Sequence, residues 1–357
     1  MNNFTHIYAE TDTCEWKLKN LPVNSVRIYR DLNEFLAVDS DQKSAVLHLP
    51  YPMGDSYQLH DRLNQLIKHC HHVAILMSEL HTSTVEFFRL HQHPKIKYFI
   101  SGIVDHCSAG RWMDWLHRTT DFYKKNPQVL DQINPYQVKT KTFDILLGRN
   151  KPHRTFVYNF INNNNLNDQV IMTYLKGADN LSLQEQDTNG WIWEDAGLEL
   201  PDQDFTWTVT PIRYQGQGMS LSQVIPLSIY NQTAYSIVAE TNYDNNYSFF
   251  TEKIVKPILA RRLFLVVSGQ YYLRNLRSLG FKTFDGIIDE TYDTIADFDQ
   301  RGQMITEQMI YLFSQDQQII LDEIKPIVEH NYMLMIETDW YGDFSKEFQA
   351  VVLARTN

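Results

Sequence analysis

The sequence predicts an α/β protein made of two doubly wound domains, each built on a parallel sheet. Three observations carry that expectation. Short apolar, β-branched-rich runs alternate with segments of helical periodicity along most of the chain. From Ser236 to Phe284 the order is strand, polar loop, helix, strand, turn, helix, the grammar of a doubly wound fold. At 357 residues the chain is too long for one typical domain and suits two.

Composition narrows the class. Hydrophobic residues make up 43% and charged residues 21%, which is ordinary for a globular protein, while 13% aromatic is high enough to supply stacking surfaces besides two cores. With 32 basic and 43 acidic residues the net charge is −11, so no global field draws the chain to nucleic acid or anionic membrane. Cys14, Cys70 and Cys107 lie far apart, form no CxxC and leave an odd count; a disulfide framework is not expected, and a reducing cytoplasm fits. The first residues show no basic segment leading into an apolar one, and no apolar run reaches about 18 residues. Neither a signal peptide nor a membrane span is expected.

Taken in order, residues 1–139 read as the first domain. Ser44 to Leu49 is strand-like and runs into Pro50-Tyr51-Pro52. Tyr57 to Cys70 places Leu59, Leu63, Leu66 and Ile67 at helical spacing; Val73 to Met77 is a compact strand; Val85, Phe87, Phe88 and Leu90 mark a helix; Lys97 to Val104 is the next strand. Glu79 and His81 follow the Val73 to Met77 strand, at its carboxyl end, and are the candidate general bases, with His48 and His106 as lesser rivals. The histidines around Cys70 and the His91-x-His93 pair match no tight metal-ligand spacing, so no metal is expected. Asn126 to Lys141, with two Asn-Pro dipeptides, reads as the linker.

Residues 140–357 read as the second domain. Thr142 to Leu147 is a strand, followed by Gly148-Arg149-Asn150-Lys151-Pro152-His153-Arg154 at the mouth of a helix carrying Phe156, Val157, Phe160 and Ile161. Cations there oppose the helix dipole, which points to an anion site built from backbone amides and side chains. It is neither a G-x-G-x-x-G turn nor a Walker loop, which disfavours a dehydrogenase. Gln169 to Lys176 is the next strand, Asn180 to Trp207 is irregular, Phe205 to Arg213 suits an edge strand and Pro226 to Tyr235 a short helix. The strand Ser236 to Ala239 ends on Glu240; Ser248 opens a helix with Thr251 and Glu252 in its first turn; Leu263 to Val267 is a strand, and a helix from Gln270 stops at Gly280. Asp297 and Asp299 read as the polar start of a helix over about 301–313. Pro326 ends or kinks the one over 319–330, and a last helix covers about 342–354.

Glu240-Thr241-Asn242, a short gap, Tyr247-Ser248-Phe249-Phe250-Thr251-Glu252-Lys253, a helix and an apolar strand ending in Gly269 resemble the donor-site signature of fucosyltransferase-like glycosyltransferases, whose pattern is E-N-S, Y-x-T-E-K and P-V-x-x-G. The F-F-T-E-K run and Leu276-Arg277-Ser278-Leu279-Gly280-Phe281-Lys282-Thr283-Phe284 resemble a phage and bacterial group of such enzymes still more closely. The likeness covers roughly Phe143 to Arg301; Asn242 stands for Ser, and Phe264-Leu265 for Pro-Val.

The resemblance implies a GT-B fold, two facing Rossmann-like domains with a cleft between them, and a final helix that packs back on the first. It implies transfer of a sugar from a nucleotide-sugar to an acceptor hydroxyl without metal or other cofactor. Arg149 or Arg154 matches the arginine on the diphosphate, with His153 beside them; Glu252 would bind the ribose, Lys253 a phosphate, and Glu240, Tyr247 and Thr251 the rest of the donor site. Glu79 or His81 would take the acceptor's proton. The acceptor stays open among a hydroxylated pyrimidine in DNA, a surface or capsule glycan, a lipid-linked sugar and a protein side chain; the place of action is the cytoplasm, that of the host for a phage protein. The alternative is a protein that binds a nucleotide or anionic sugar without turning it over. Donor base, sugar, stereochemistry and oligomeric state are left open.

Overall fold

The computed structural model describes residues 4–11, 18, 21, 26–49, 56–105, 108–175, 212–214, 217–219 and 223–354. It is an α/β structure with two parallel sheets, compatible with Rossmann-like folding. The chain divides into two compact units, residues 1–114 with 339–357, and residues 115–338.

The first unit contains β1 (Thr5–Ala9), β2 (Val26–Tyr29), α1 (Leu32–Ala37), β3 (Lys43–His48), α2 (Ser56–His69), β4 (His72–Met77), α3 (Thr82–Leu90), β5 (Ile96–Ile100), β6 (Gly102–Val104) and β7 (Gly110–Arg111). Its main sheet has the order β2-β1-β3-β4-β5-β7 and is parallel throughout. The sequence reading placed β3, β4, β5 and the two helices between them, and missed β1 and β2. The C-terminal helix, Gly342–Val352, supplies Phe344, Phe348 and Val352 at i, i+4 and i+8, one apolar stripe. Phe344 stacks on Trp112 at 5.6 Å and meets Phe99 edge-on at 5.3 Å, so this helix closes the core of the unit over Leu76 and Val46. Cys70 is a free, buried thiol whose pKa burial pushes up to about 12; Cys14 and Cys107 lie outside the described residues, as does His106.

The second unit contains, in order, α4 (Asp114–Lys125, its first residue in the other unit), α5 (Pro127–Leu130), β8 (Lys141–Arg149), α6 (Pro152–Asn163), β9 (Val170–Leu175), β10 (Ile212–Tyr214), β11 (Gln217–Met219), α7 (Leu227–Tyr230), β12 (Thr233–Ala239), β13 (Tyr247–Phe249), α8 (Glu252–Leu259), β14 (Phe264–Val267), α9 (Tyr272–Ser278), α10 (Phe298–Ser314) and α11 (Gln317–Glu337). The parallel sheet runs β14-β12-β8-β9. Chain order leads from β8 outward to β9, then back past β8 to β12 and on to β14. Right-handed crossovers in opposite directions put α6 and α8 on opposite faces, which is why β12 and β14 are buried along their whole length.

Several expectations need correction. The division between units lies at Asp114/Trp115 and Thr338/Asp339, not near Lys139, because the Asn-Pro segment is packed. Val129 and Leu130 of α5 are buried, and the Lys139 N–H donates to Gln317 Oε1 at 2.9 Å. Tyr247–Phe249 is a strand, and Thr251 is the N-cap of a helix that starts three residues past it, its hydroxyl accepting from Lys253 N–H. Pro326 does not end its helix, which continues from Gln317 to Glu337 with buried residues on both sides of the proline. Asp297 does start a helix, its Oδ1 accepting from Gln300 N–H at 2.8 Å, and Gly280 ends α9 with φ +96°. Of the Phe205 to Arg213 stretch only β10 is described, in an antiparallel pair with β11; Asn180 to Trp207 lies outside the described residues.

One buried cation sets the register of the second sheet. Arg262, just before β14, donates from Nη2 to Asp144 Oδ1 of β8 at 2.7 Å and to Thr233 Oγ1 at 2.7 Å. From Nε it reaches Ser236 Oγ at 3.0 Å, and from Nη1 the carbonyls of Tyr230 at 2.9 Å and Thr233 at 2.7 Å. Removing one partner strands the other charge in the core, so Arg262→Met should cost about 3–5 kcal/mol in urea unfolding. Adding Asp144→Leu should recover part of that loss; a double mutant as unstable as the sum of its singles would show that the pair is not coupled.

Candidate functional site

Ligands of an open parallel sheet bind outside the carboxyl ends of its strands, where the strand order reverses. In the second unit that point lies between β8 and β12. Glu240 follows β12, and its side chain is fully buried with both oxygens engaged. Oε1 accepts from Tyr272 OH at 2.9 Å and Thr251 N–H at 3.3 Å; Oε2 accepts from Thr251 Oγ1 at 2.7 Å and Thr241 N–H at 3.2 Å. Burial pushes its pKa up, against the pull of Lys253. The carboxylate therefore ties the start of α8 to the end of β12 and does not present a free face to a ligand.

The backbone of Glu240 is tied to α6. Its carbonyl accepts from His153 Nε2 at 2.7 Å and Arg154 Nη2 at 3.3 Å, both side chains buried. Because a carbonyl only accepts, Nε2 carries the proton, and Nδ1 is a buried acceptor with no partner among the described residues. His153 stacks on Tyr243 at 4.6 Å, and Tyr243 meets Phe298 edge-on. The loop bearing Tyr243 is pinned by Arg301, which donates to the carbonyls of Ser268, Ile295, Ala296 and Tyr243. Gly269 is required there: a Cβ would stand 2.5 Å from the Asn245 carbonyl oxygen.

The charges at this point are unbalanced toward the positive. The N-terminus of α6 has no side-chain cap and no acid in its first turn, only Pro152, His153 and Arg154 after Lys151, whose Nζ reaches Thr241 O at 2.8 Å. Across the switch point α8 begins with buried Glu252, whose Oε1 accepts from Lys253 Nζ at 3.0 Å. Burial pushes the Glu252 carboxyl up, but Lys253 and Lys256 more than offset this and hold it below its ordinary value. Lys253 keeps 24% of its side chain exposed. Lys256, one turn on from Glu252, is only 6% exposed and has no hydrogen-bond or ion-pair partner among the described residues; burial brings its pKa down to about 8. Pro152 has no N–H and the Arg154 N–H donates to Lys151 O at 2.9 Å, so what this end offers an anion with several oxygens, such as a diphosphate, is chiefly its cations.

The structure thus brings together His153, Arg154, Glu240, Thr251, Glu252 and Lys253. Arg149 ends β8 opposite Leu175, and its side chain lies outside the described residues. Tyr247 is buried in β13, its N–H donating to Asn245 Oδ1 at 3.4 Å. Glu79 and His81 are in the other unit: the Glu79 carbonyl accepts from Thr84 Oγ1, and His81 is the N-cap of α3, its Nδ1 accepting from Ser83 N–H at 3.4 Å. Sequence reasoning missed Tyr243, Lys256, Tyr272 and Arg301. Only Lys256 had a local signal, its i, i+4 spacing from Glu252. Among the described residues no group of three or more His, Cys, Asp or Glu is placed to hold a metal, and no helix is long and apolar enough to cross a membrane.

Comparison of the chain with protein-family models, with curated proteins and with solved structures finds no match in any of the three.

The buried imidazole makes this site pH-sensitive. Burial, with the charge of Arg154, lowers the His153 pKa from 6.5 to about 3, so the folded protein keeps it neutral where the unfolded chain protonates it. The stability this contributes is complete above pH 6.5 and is lost as pH falls from 6.5 through 3, by up to about 1.4 kcal/mol per pH unit. His153→Gln should flatten that slope in urea midpoints measured between pH 7 and pH 4; an unchanged slope would place the titration elsewhere.

Proposed function

We propose that this protein is a glycosyltransferase that moves a sugar from a nucleotide-sugar to an acceptor hydroxyl, with the donor on the second unit. The observation that supports it most is the uncapped start of α6, flanked by Lys151 and Arg154 and set across the switch point from Lys253. Lys151 and Arg154 donate to the carbonyls of Thr241 and Glu240, and an anionic ligand would add to these contacts at the positive end of the helix. The Thr251-Glu252-Lys253 turn of the fucosyltransferase-like signature falls on the same point.

In this reading the arrangement is GT-B-like: one Rossmann-like unit serves the donor, the other the acceptor. Lys253 and the positive end of α6 hold the diphosphate, with Arg154 behind them and Arg149 at the end of β8. Glu252, held ionised by its lysines, binds the ribose diol. As the bond from the anomeric carbon to the phosphate oxygen breaks, charge accumulates on the leaving nucleoside diphosphate. Preorganised cations and amides stabilise it there without reorganising. Glu240 and Tyr272 act indirectly, by fixing the α8 turn. The acceptor oxygen loses its proton to a base of the first unit, for which Glu79 and His81 are the sequence candidates. A surface glycan or a hydroxylated pyrimidine of DNA serves as acceptor, in the cytoplasm of the cell or of a phage host.

The test is thermal denaturation with UDP, GDP, CDP, ADP, dTDP and CMP, with and without magnesium. A ligand at about 100 times its Kd adds about 2.7 kcal/mol. One nucleoside diphosphate should raise Tm, and Lys253→Ala should remove the effect; no shift with any nucleotide would sink the reading.

A further inference from the structure

The first unit has a switch point of its own. Its sheet order, β2-β1-β3-β4-β5-β7, reverses between β1 and β3, since the chain leaves β1 toward β2 and later returns to the other side of β1 with β3. In a sheet of this order the crevice outside the carboxyl ends of those two strands is where ligands bind. Three chemically capable side chains meet there. Glu10 follows β1, His48 ends β3 and Ser78 follows β4. His48 Nε2 and Ser78 Oγ are hydrogen-bonded at 2.9 Å. Glu10 Oε2 accepts from the His48 N–H at 3.1 Å, its Oε1 pairs with the Arg62 guanidinium of α2, and its own N–H donates to Val46 O at 3.1 Å. The edge of Trp112 borders the imidazole, with ring centroids 6.4 Å apart.

We propose that this switch point is a binding site for a hydroxyl-bearing acceptor, and that His48 accepts the proton of that hydroxyl, taken up beside Ser78. The chemistry rests on the transferase reading. The geometry does not. His48 and Ser78 come from neighbouring strand ends, so the sheet itself holds them in register. Glu10 holds the end of β3 through its backbone and is neutralised by Arg62, which makes it a positioning residue. In the reaction the acceptor hydroxyl takes the place of Ser78 Oγ at Nε2, and its O–H bond breaks as the proton passes there. The acceptor oxygen bonds the anomeric carbon, and the carbon–oxygen bond to the diphosphate breaks, releasing the nucleoside diphosphate. An imidazole is the side chain whose ordinary pKa suits such a base near neutral pH.

Two measurements on the full chain test this. The histidine imidazoles are observed by NMR while methyl α-glucoside, methyl β-galactoside and hydroxymethyl-deoxycytidine are titrated in. At least one probe should perturb the His48 resonance saturably, and Ser78→Ala should weaken that binding by about tenfold. If no probe moves His48, the site is not an acceptor site. Hydrolysis of nucleotide-sugars, with water as the acceptor, tests the base. His48→Gln should lower kcat by about a hundredfold or more and remove the acidic limb of the pH profile. The same variant should keep the Tm shift given by the nucleoside diphosphate. A variant that keeps rate and limb overturns the base role. If no nucleotide shifts Tm in the unaltered protein, the transferase reading fails by itself, and the His48 resonance alone decides the site.

Discussion

The Arg262 guanidinium is the constraint on which the second sheet depends. It sits in the layer where β8, β12 and β14 begin, and it joins Asp144, Ser236, Thr233 and the backbone carbonyls of Tyr230, Thr233 and Tyr235 in one network. Buried ion pairs often fail to repay their desolvation, so the network is better understood as specifying geometry than as adding net stability. A one-residue slip of β12 would turn Ser236 away from Asp144 and Arg262 and remove its hydroxyl from the network. With the amino ends fixed, strand length determines what stands at the carboxyl ends. That is how the end of β8 and Glu240 come to lie side by side.

The site above this layer gathers cations whose cost the fold offsets locally. Lysine and arginine at the start of α6 work against the helix dipole, and they donate to the carbonyls of Thr241 and Glu240. Lys256, largely buried, faces the charge of Glu252 on its own helix. The two glutamates divide the remaining work by environment. Glu252 is kept ionised by lysines on its own helix, while Glu240, lacking a direct cation, is held by hydroxyl and amide donors and has its pKa raised.

What could be read in the sequence follows physical rules of different reach. The buried strands β3, β4, β8, β12 and β14 were legible because burial on both faces writes a run of aliphatic residues. Gly280 and Asp297 were legible because caps are local chemistry. β1 and β2 were not: they are short, β2 is half exposed, and His6, Tyr8 and Tyr29 blur the aliphatic pattern. The start of α8 was placed too early because Phe249 and Phe250 look periodic, whereas the alternation of a short strand and a Thr cap took precedence. Of the site, the Thr251-Glu252-Lys253 turn is contiguous and could be found. Tyr272, Arg301 and the tie of His153 to the Glu240 carbonyl join residues 30 to 90 positions apart, and only the sheet brings them together.

The same rule applied to both sheets separates two kinds of chemistry. At the β8/β12 point the side chains are mostly cationic, which suits stabilising negative charge. At the β1/β3 point the groups are Glu10, His48 and Ser78, with Arg62 paired to the glutamate, which suits accepting a proton and binding a hydroxyl. A simple binder of nucleotides needs the first set and has no use for the second. Group transfer to a hydroxyl needs both, since the leaving group must take up charge while the nucleophile gives up a proton.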